Sequence, residues 1–208
     1  MGTVDVGGQK QTSGSYKLTT SLGQSAAGQF DSAGYTVKAG FQYLYSIIPF
    51  RFSVSNTNIN LGTLLPSTPS TATTTLTVYF GAAGQYLVTA EELGTLRTFS
   101  GTSSIPDTTC NGGAQTCTET SSNVWNSSST YGFGYNMAGN DVPADFTNNT
   151  YYRPFPDATA SETPATVMSS VNVGKNRQST MTFKGNVSST QTAGTYRAII
   201  RFIATPSY

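Results

Sequence analysis

Apolar and polar residues alternate along residues 32–46, which read SAGYTVKAGFQYLYS. Every second residue from Tyr35 is apolar or small, and Leu44 is the one apolar residue out of phase. A period of two is typical of a β-strand with one buried face. Five side chains of this face are predicted to pack into a groove, either on the same chain or on a neighbouring one: Tyr35, Val37, Phe41, Tyr43 and Tyr45.

A repeat includes the start of this strand. The segment SGSYKLT (13–19) aligns with SAGYTVK (32–38) at an offset of 19 residues, and the Gly-rich GQSAAGQF lies between them. The pattern predicts two related strands joined by a turn, with a duplicated hairpin unit as the alternative. Because an isolated hairpin is only marginally stable in water, residues 1–46 are predicted to form a β arm that packs on another surface.

From residue 47 to residue 208 the chain shows short alternating segments separated by turn signals. The clearest are LTVYF (76–80), STMTFKGNV (179–187) and AGTYRAIIRFIATPSY (193–208). Residues 100–165 are rich in Ser, Thr, Asn and Gly, and predict a long loop insertion with one or two strands inside it. About seven to nine short strands predict an antiparallel β-sandwich. Since no stretch keeps helical spacing of apolar residues for three turns, the fold class is predicted to be all-β.

Composition agrees with a β protein that has few charges. Charged residues make up 10% of the chain, and hydroxyls from 34 Thr and 25 Ser supply most of the polarity. The net charge of +1 gives no field that favours nucleic acid or anionic membranes. Residues 91–165 nevertheless hold eight acidic and two basic residues, whereas residues 166–208 hold five basic and no acidic residues. This segregation indicates either solvated loops beside a basic sheet face or complementary surfaces on successive subunits.

Two cysteines, Cys110 and Cys117, enclose the turn-forming sequence NGGAQT and are predicted to form a disulfide. A bridge over so short a loop contributes roughly 2–3 kcal/mol. A zinc site would need further ligands, and the chain contains no histidine. The disulfide predicts an oxidising, extracytoplasmic compartment. No apolar run approaches the roughly 20 residues of a membrane helix, and no signal peptide is recognised, so we expect a secreted mature chain at the cell surface or outside the cell.

Catalysis has few candidate groups in this sequence. Without histidine the usual general base near neutral pH is missing. Paired carboxylates could hydrolyse glycosides, and the candidates are Glu91 or Glu92 with Asp141 or Asp145. The segment 138–146 also offers oxygen ligands of the kind that calcium takes, but their spacing does not match an EF-hand loop. We therefore expect no enzyme, no cofactor and no bound metal.

Aromatic residues in the loop-rich middle are the candidates for a ligand site. Trp125, Tyr131, Phe133 and Tyr135 lie among Asn and Asp residues and are predicted to stack on sugar rings. The alternative is a small core that holds the long loop down. Surface glycans are therefore a second candidate partner, beside further copies of the chain.

Three sequons mark candidate N-glycosylation positions at Asn126, Asn148 and Asn186. Chance occurrence is the alternative in a chain rich in Asn, Ser and Thr. Lys184 falls on the polar side of its strand, so it is not expected to point inward or to form an internal isopeptide bond.

Several of these motifs resemble a known group of proteins. LGTLLPSTPSTATTTLTVYF followed by GQYLVTA, together with the closing AGTYRAIIRFIATPSY, resembles secreted bacterial β-sandwich surface proteins of the spore-coat-U/pilin-like and WxL-like types. The match is in strand and turn motifs over about half of the chain, and the acidic middle has no counterpart. The resemblance implies an Ig-like or pilin-like sandwich that attaches to a surface or forms fibres, without catalysis.

The sequence thus predicts a structural subunit of an extracellular or cell-surface assembly. Its body, residues 47–208, would accept the arm, residues 1–46, by strand exchange between copies. Three or four buried Tyr and Phe side chains would contribute on the order of 10 kcal/mol before ordering costs. The alternative function is a cell-surface adhesion or carbohydrate-binding module.

Overall fold

The computed structural model describes residues 8–12, 14, 17–21, 28–39, 50–80, 85–171 and 174–207. These residues form sixteen β-strands and one short 3-10 turn, and they contain no α-helix. The predicted all-β class is confirmed. In chain order the strands are β1 (Gly8–Thr12), β2 (Lys17–Ser21), β3 (Gly28–Asp31), β4 (Thr36–Ala39), β5 (Phe50–Val54), β6 (Ser70–Phe80), β7 (Gln85–Glu92), β8 (Leu96–Thr98), β9 (Ser104–Ile105), β10 (Asn123–Val124), β11 (Gly132–Gly139), β12 (Tyr151–Tyr152), β13 (Ala165–Ser170), β14 (Gly174–Asn186), β15 (Tyr196–Arg197) and β16 (Ile200–Ser207).

Two antiparallel sheets enclose the main core in a sandwich-like arrangement. One has four strands in the order β11-β14-β6-β5, and the other has three in the order β13-β7-β16. The central strands β6 and β7 alternate as their sequences predict. Their inward side chains are at most 3% exposed and belong to a single hydrophobic cluster: Leu76, Val78, Phe80, Tyr86, Val88 and Ala90.

Strand β11 runs through the region that was predicted to be a loop insertion with one or two strands. Residues 100–165 instead contain β9, β10, β11 and β12, and β11 pairs with β14 along all eight of its residues. Phe133, Tyr135 and Met137 point from β11 into the core. The alternation of these three residues is visible in the sequence. The glycines of the same segment, however, give it the composition of a loop.

A second small core covers the outer face of the four-stranded sheet. It consists of the disulfide between Cys110 and Cys117 and the rings of Trp125 and Tyr152, which meet edge to face with centroids 5.5 Å apart. The predicted disulfide is confirmed. It joins two points seven residues apart within the loop between β9 and β10.

Lys184 lies beneath this small core, contrary to the expectation of a solvent-exposed polar side chain. Its position on the outer face of β14 follows the predicted parity, but the loops leave it only 7% exposed. Its Nζ donates a hydrogen bond to the carbonyl of Trp125 at 2.5 Å and lies 4.4 Å from the centroid of that ring. Burial lowers the pKa of Lys184 to about 8. The buried ammonium therefore helps to fix the loop layer onto the sheet.

The arm contains two separate hairpins. β1 pairs with β2, with Thr12 opposite Lys17, and β3 pairs with β4, with Asp31 opposite Thr36. The paired residues of the second hairpin lie 19 residues after those of the first, which is the offset of the sequence repeat. The duplicated unit is therefore a hairpin. The repeated strands β2 and β4 are not paired with each other, which corrects the prediction of two related strands joined by one turn.

Gly134 of β11 lies directly against the outer loop layer. An added Cβ would lie 2.5 Å from the carbonyl oxygen of Arg153 and 2.7 Å from Cγ2 of Thr108. We expect Gly134→Ala to lower the free energy of unfolding by about 1–3 kcal/mol, because the layer must move outward. Urea denaturation followed by the fluorescence of the sole tryptophan, Trp125, measures this. Gly34→Ala is the matched control, since nothing lies within 4 Å of its added Cβ, and equal stabilities would contradict the close approach.

Candidate functional site: an open cleft between two strand edges

The two sheets end on the same side of the sandwich, in the edge strands β5 and β16. Within the described residues β5 pairs only with β6, and β16 pairs only with β7. The rings of Phe52 and Phe202 approach across this side with centroids 6.2 Å apart. Among the described residues the outer backbone edge of each strand has no partner, and a further strand could pair with it.

Side chains on these edges are covered less well than those on the central strands. Every second residue of β5 and β16 points inward, yet it is only half-buried. The row contains Phe50, Phe52 and Val54 on β5, and Ile200, Phe202 and Ala204 on β16. The edge of the sandwich thus carries apolar side chains that the described part of the chain leaves partly in water.

A cleft of about 1030 Å³ opens at one end of these edge strands, where Val54, Ile200 and Phe202 of the half-buried row line it. Residues 56–64, between β5 and β6, form one wall, and residues 188–198 form the other. Four core side chains reach its floor: Leu96, Ile105, Phe133 and Phe183. An extended peptide suits such a cleft, because alternate side chains can enter it while the backbone pairs with a strand edge.

The part of the predicted arm strand that the structure describes offers an apolar face to solvent. Tyr35 is 59% exposed and Val37 is 57% exposed. Phe30 lies directly opposite Val37 in the β3–β4 hairpin and is 52% exposed. The remaining predicted arm residues, Phe41, Tyr43 and Tyr45, lie outside the described residues. The described face of the hairpin therefore lacks a covering partner within the described chain.

Three of the four predicted sugar-stacking residues are buried. Phe133 and Tyr135 belong to the main core on β11, and Trp125 belongs to the small outer core, so none of them presents a ring face to a ligand. Only Tyr131 is exposed, at 51%. The structure contradicts a stacking platform made of these four residues, and for Trp125 it agrees with a small core that holds the loop down.

The three sequons differ in accessibility. Asn126 and Asn148 are exposed. Asn186 is fully buried, and its side-chain amide donates hydrogen bonds to the carbonyls of Ser128 and Thr130 at 3.0 and 2.7 Å. Asn186 is therefore wrong as a glycosylation position in the folded protein, because its amide nitrogen is enclosed by the loop layer.

The loop acids considered for calcium binding hold the structure together through arginines. Asp145 receives hydrogen bonds from Arg153, one of them at 2.5 Å. Asp141 is bound by Arg177 and by the hydroxyl of Tyr86. Burial alone would raise the pKa of Asp141, but these hydrogen bonds keep it below its ordinary value. Among the described residues, no group of three or more His, Cys, Asp or Glu side chains is arranged to hold a metal ion.

Glu92, one of the carboxylates considered for glycoside hydrolysis, is fully buried. It continues the inward row of β7, and neither of its carboxyl oxygens has a hydrogen-bond partner. Burial, together with the nearby carboxylates of Asp107, Asp157 and Glu162, raises its pKa to about 8. Burial and neighbouring acids raise the pKa of Asp107 to about 7 in the same way. Glu92 is therefore mainly protonated at neutral pH.

Comparison with models of protein families, with curated proteins and with solved structures finds no match to this chain. The resemblance to bacterial surface proteins thus stays a prediction. Within the described residues no helix is long and apolar enough to cross a membrane.

We expect Glu92 to make the fold less stable as the pH rises. An unfolded Glu loses its proton near pH 4.5, whereas the folded one keeps it up to about pH 8. The free energy of unfolding should therefore fall between these values, by on the order of 3–5 kcal/mol, and level off above them. Asp107, whose pKa is also raised, adds to the slope in the same direction.

Urea denaturation between pH 4 and pH 9 measures this effect. Glu92→Gln should flatten the decline, so that its stability relative to wild type rises with pH. Glu91→Gln is the neighbouring control, because Glu91 accepts a hydrogen bond from Arg201 at 2.7 Å and its loss should not stabilise the protein at pH 8. A wild-type stability that does not decline above pH 5 would show that Glu92 is not held protonated.

Proposed function

We propose that this chain is a structural subunit of an extracellular or cell-surface fibre, in which the arm of one copy enters the cleft of the next. The observation that carries the proposal is the half-buried inward row on β5 and β16, beside central strands whose inward row is fully buried. A further strand between these edges would cover that row and pair with the free edge of β16.

The arm has the pattern that such a site requires. Its predicted apolar row runs with a period of two from Tyr35 to Tyr45, the spacing of side chains on one face of a strand. The edge strand β16 is eight residues long, so it offers pairing partners to most of the eleven residues from Tyr35 to Tyr45. Within the described part of the arm, Tyr35 and Val37 face solvent.

Other features support an extracellular structural role. The disulfide between Cys110 and Cys117 is typical of oxidising compartments. The alternative of a carbohydrate-binding module has less support, because Trp125, Phe133 and Tyr135 are enclosed in cores. The proposal assigns the chain no catalytic step, and its partners are further copies of itself.

Two full-length variants test strand exchange by complementation. Phe41→Lys disables the arm and leaves the accepting strands intact, whereas Ala204→Asp places a charge in the half-buried row of β16 that the arm would cover and leaves the arm intact. Each variant alone should stay monomeric in light scattering and show no fibres in electron microscopy. Mixed together, they should form a heterodimer, because the arm of the Ala204→Asp chain can still enter the cleft of the Phe41→Lys chain.

Neighbouring substitutions on the polar faces are the controls. Gln42→Lys and Thr205→Asp introduce the same charges one residue away, at positions of the opposite parity, and should leave assembly unchanged. Circular dichroism confirms that each variant is folded. Fibres formed by Phe41→Lys, or a mixture that stays monomeric, would contradict strand exchange.

A further inference from the structure

Five carboxylates of the described residues form no ion pair with Arg or Lys there. Four carboxylates in the described part of the chain are paired with Arg or Lys: Asp31, Glu91, Asp141 and Asp145. The other described carboxylates have no cation within ion-pair distance there, and they are Glu92, Asp107, Glu119, Asp157 and Glu162.

These unpaired acids lie together. The backbones of Glu92 and Asp157 are bridged, and a carboxyl oxygen of Glu162 accepts the backbone N–H of Asp157 at 2.7 Å. Asp107 is repelled by Glu162, Asp157 and Glu119. The side chains of Asp107, Glu119, Asp157 and Glu162 are at least partly exposed, and we call these four residues the acidic patch. Glu92, whose backbone is bridged to Asp157 of the patch, has a fully buried carboxyl group without a hydrogen-bond partner.

An exposed surface whose charge is opposite to that of the acidic patch lies on β8 and β15. Arg97 and Arg197 are directly opposite each other across these strands, an arrangement in which like charges repel. Both are exposed, and neither lies within ion-pair distance of a carboxylate in the described chain. Phe99 beside them is 89% exposed, and its ring centroid is 5.8 Å from the Arg197 guanidinium carbon. Arg97, Arg197 and Phe99 form what we call the basic patch.

We propose that the basic patch of one copy docks on the acidic patch of the next copy along the assembly. This contact rests on the proposed function, because strand exchange holds successive bodies side by side. A second copy is favoured as the occupant since both unneutralised charge groups occur on the same chain and have opposite sign. Two different patches that recognise each other give a head-to-tail contact, which is the kind that builds open filaments.

Charge reversal and rescue in the full-length chain test this contact. Arg97→Glu with Arg197→Glu should slow fibre growth at least about tenfold at low salt, and Glu119→Lys with Glu162→Lys should do the same. All four substitutions in one chain leave the net charge unchanged and should restore growth to the wild-type rate. The wild-type rate should itself fall on going from 20 to 500 mM salt, and light scattering follows growth in every case.

Single substitutions of equal charge provide a control. Arg51→Glu changes an exposed arginine outside the basic patch and should slow growth less than Arg197→Glu does. A four-fold variant that stays slow, or a wild-type rate that does not change with salt, would overturn the proposal. Dextran sulfate serves as a probe for anionic polymers. If Arg197→Glu loses binding to dextran sulfate but its fibres grow at the wild-type rate, the basic patch binds an anionic polymer. That result would overturn the contact between copies.

The two proposals fail on different variants. Strand exchange is contradicted by fibre growth of Phe41→Lys or by a mixture with Ala204→Asp that stays monomeric. Because Arg197 also lines the cleft, the patch contact is judged on Arg97→Glu alone and on the recovery of growth in the four-fold variant, whatever the arm variants do. A chain that stays monomeric at low salt and high concentration would overturn both.

Discussion

A β-sandwich has to cover the apolar space between its sheets at both edges as well as across its faces. In this chain the edge at β11 is covered, whereas the edge at β5 and β16 is not covered by any described segment. At β11 the backbone of the insertion closes the edge, through reciprocal hydrogen bonds between Tyr135 and Arg153 and through a bridge between Phe133 and Asp107. At β5 and β16 no described segment does the same. Much of the architecture follows from this difference, because the long insertion is committed to one side and the cleft remains on the other.

How far the sequence predicts this structure depends on which property is considered. Alternation locates strands and assigns each residue to a face, and it did so for β6, β7 and β16. It does not tell which face another layer will cover. Lys184 and Asn186 fall on the polar face of β14 as expected, yet both are buried because the loops fold over that face.

The same limit applies to the site. The free edges that bound the cleft depend on pairing between strands distant in sequence, and no local pattern encodes such pairing. Glu92, which the sequence offered only as a candidate catalytic carboxylate, is fully buried in the fold. Its parity with Tyr86, Val88 and Ala90 was the available signal that it faces inward. The disulfide was predictable because its two cysteines are close in sequence and bracket a turn.

The fold shows which of the charges that are segregated along the sequence pair with one another within the chain. Two cations of the basic C-terminal segment, Arg177 and Arg201, pair with the acids Asp141 and Glu91 of the acidic middle segment in the same chain. Part of the complementarity is thus internal. The acidic patch and the basic patch take no part in these ion pairs, and Arg97 of the basic patch belongs to the acidic middle segment. The hypothesis of contacts between subunits is therefore restated for the seven residues of the two patches.

Arm and patches would act on different steps of assembly. Residues 32–46 carry a single charge, Lys38, so the arm adds little electrostatic attraction at a distance. The patches can attract over longer range, but at physiological ionic strength their field decays over about 8 Å, so they hold a contact only weakly. Charges mainly set the rate at which partners meet, whereas buried apolar area mainly sets the rate at which they separate. A fibre built this way would grow faster at low salt, yet once formed it would resist salt, because its inserted strands are held by apolar contacts and backbone hydrogen bonds.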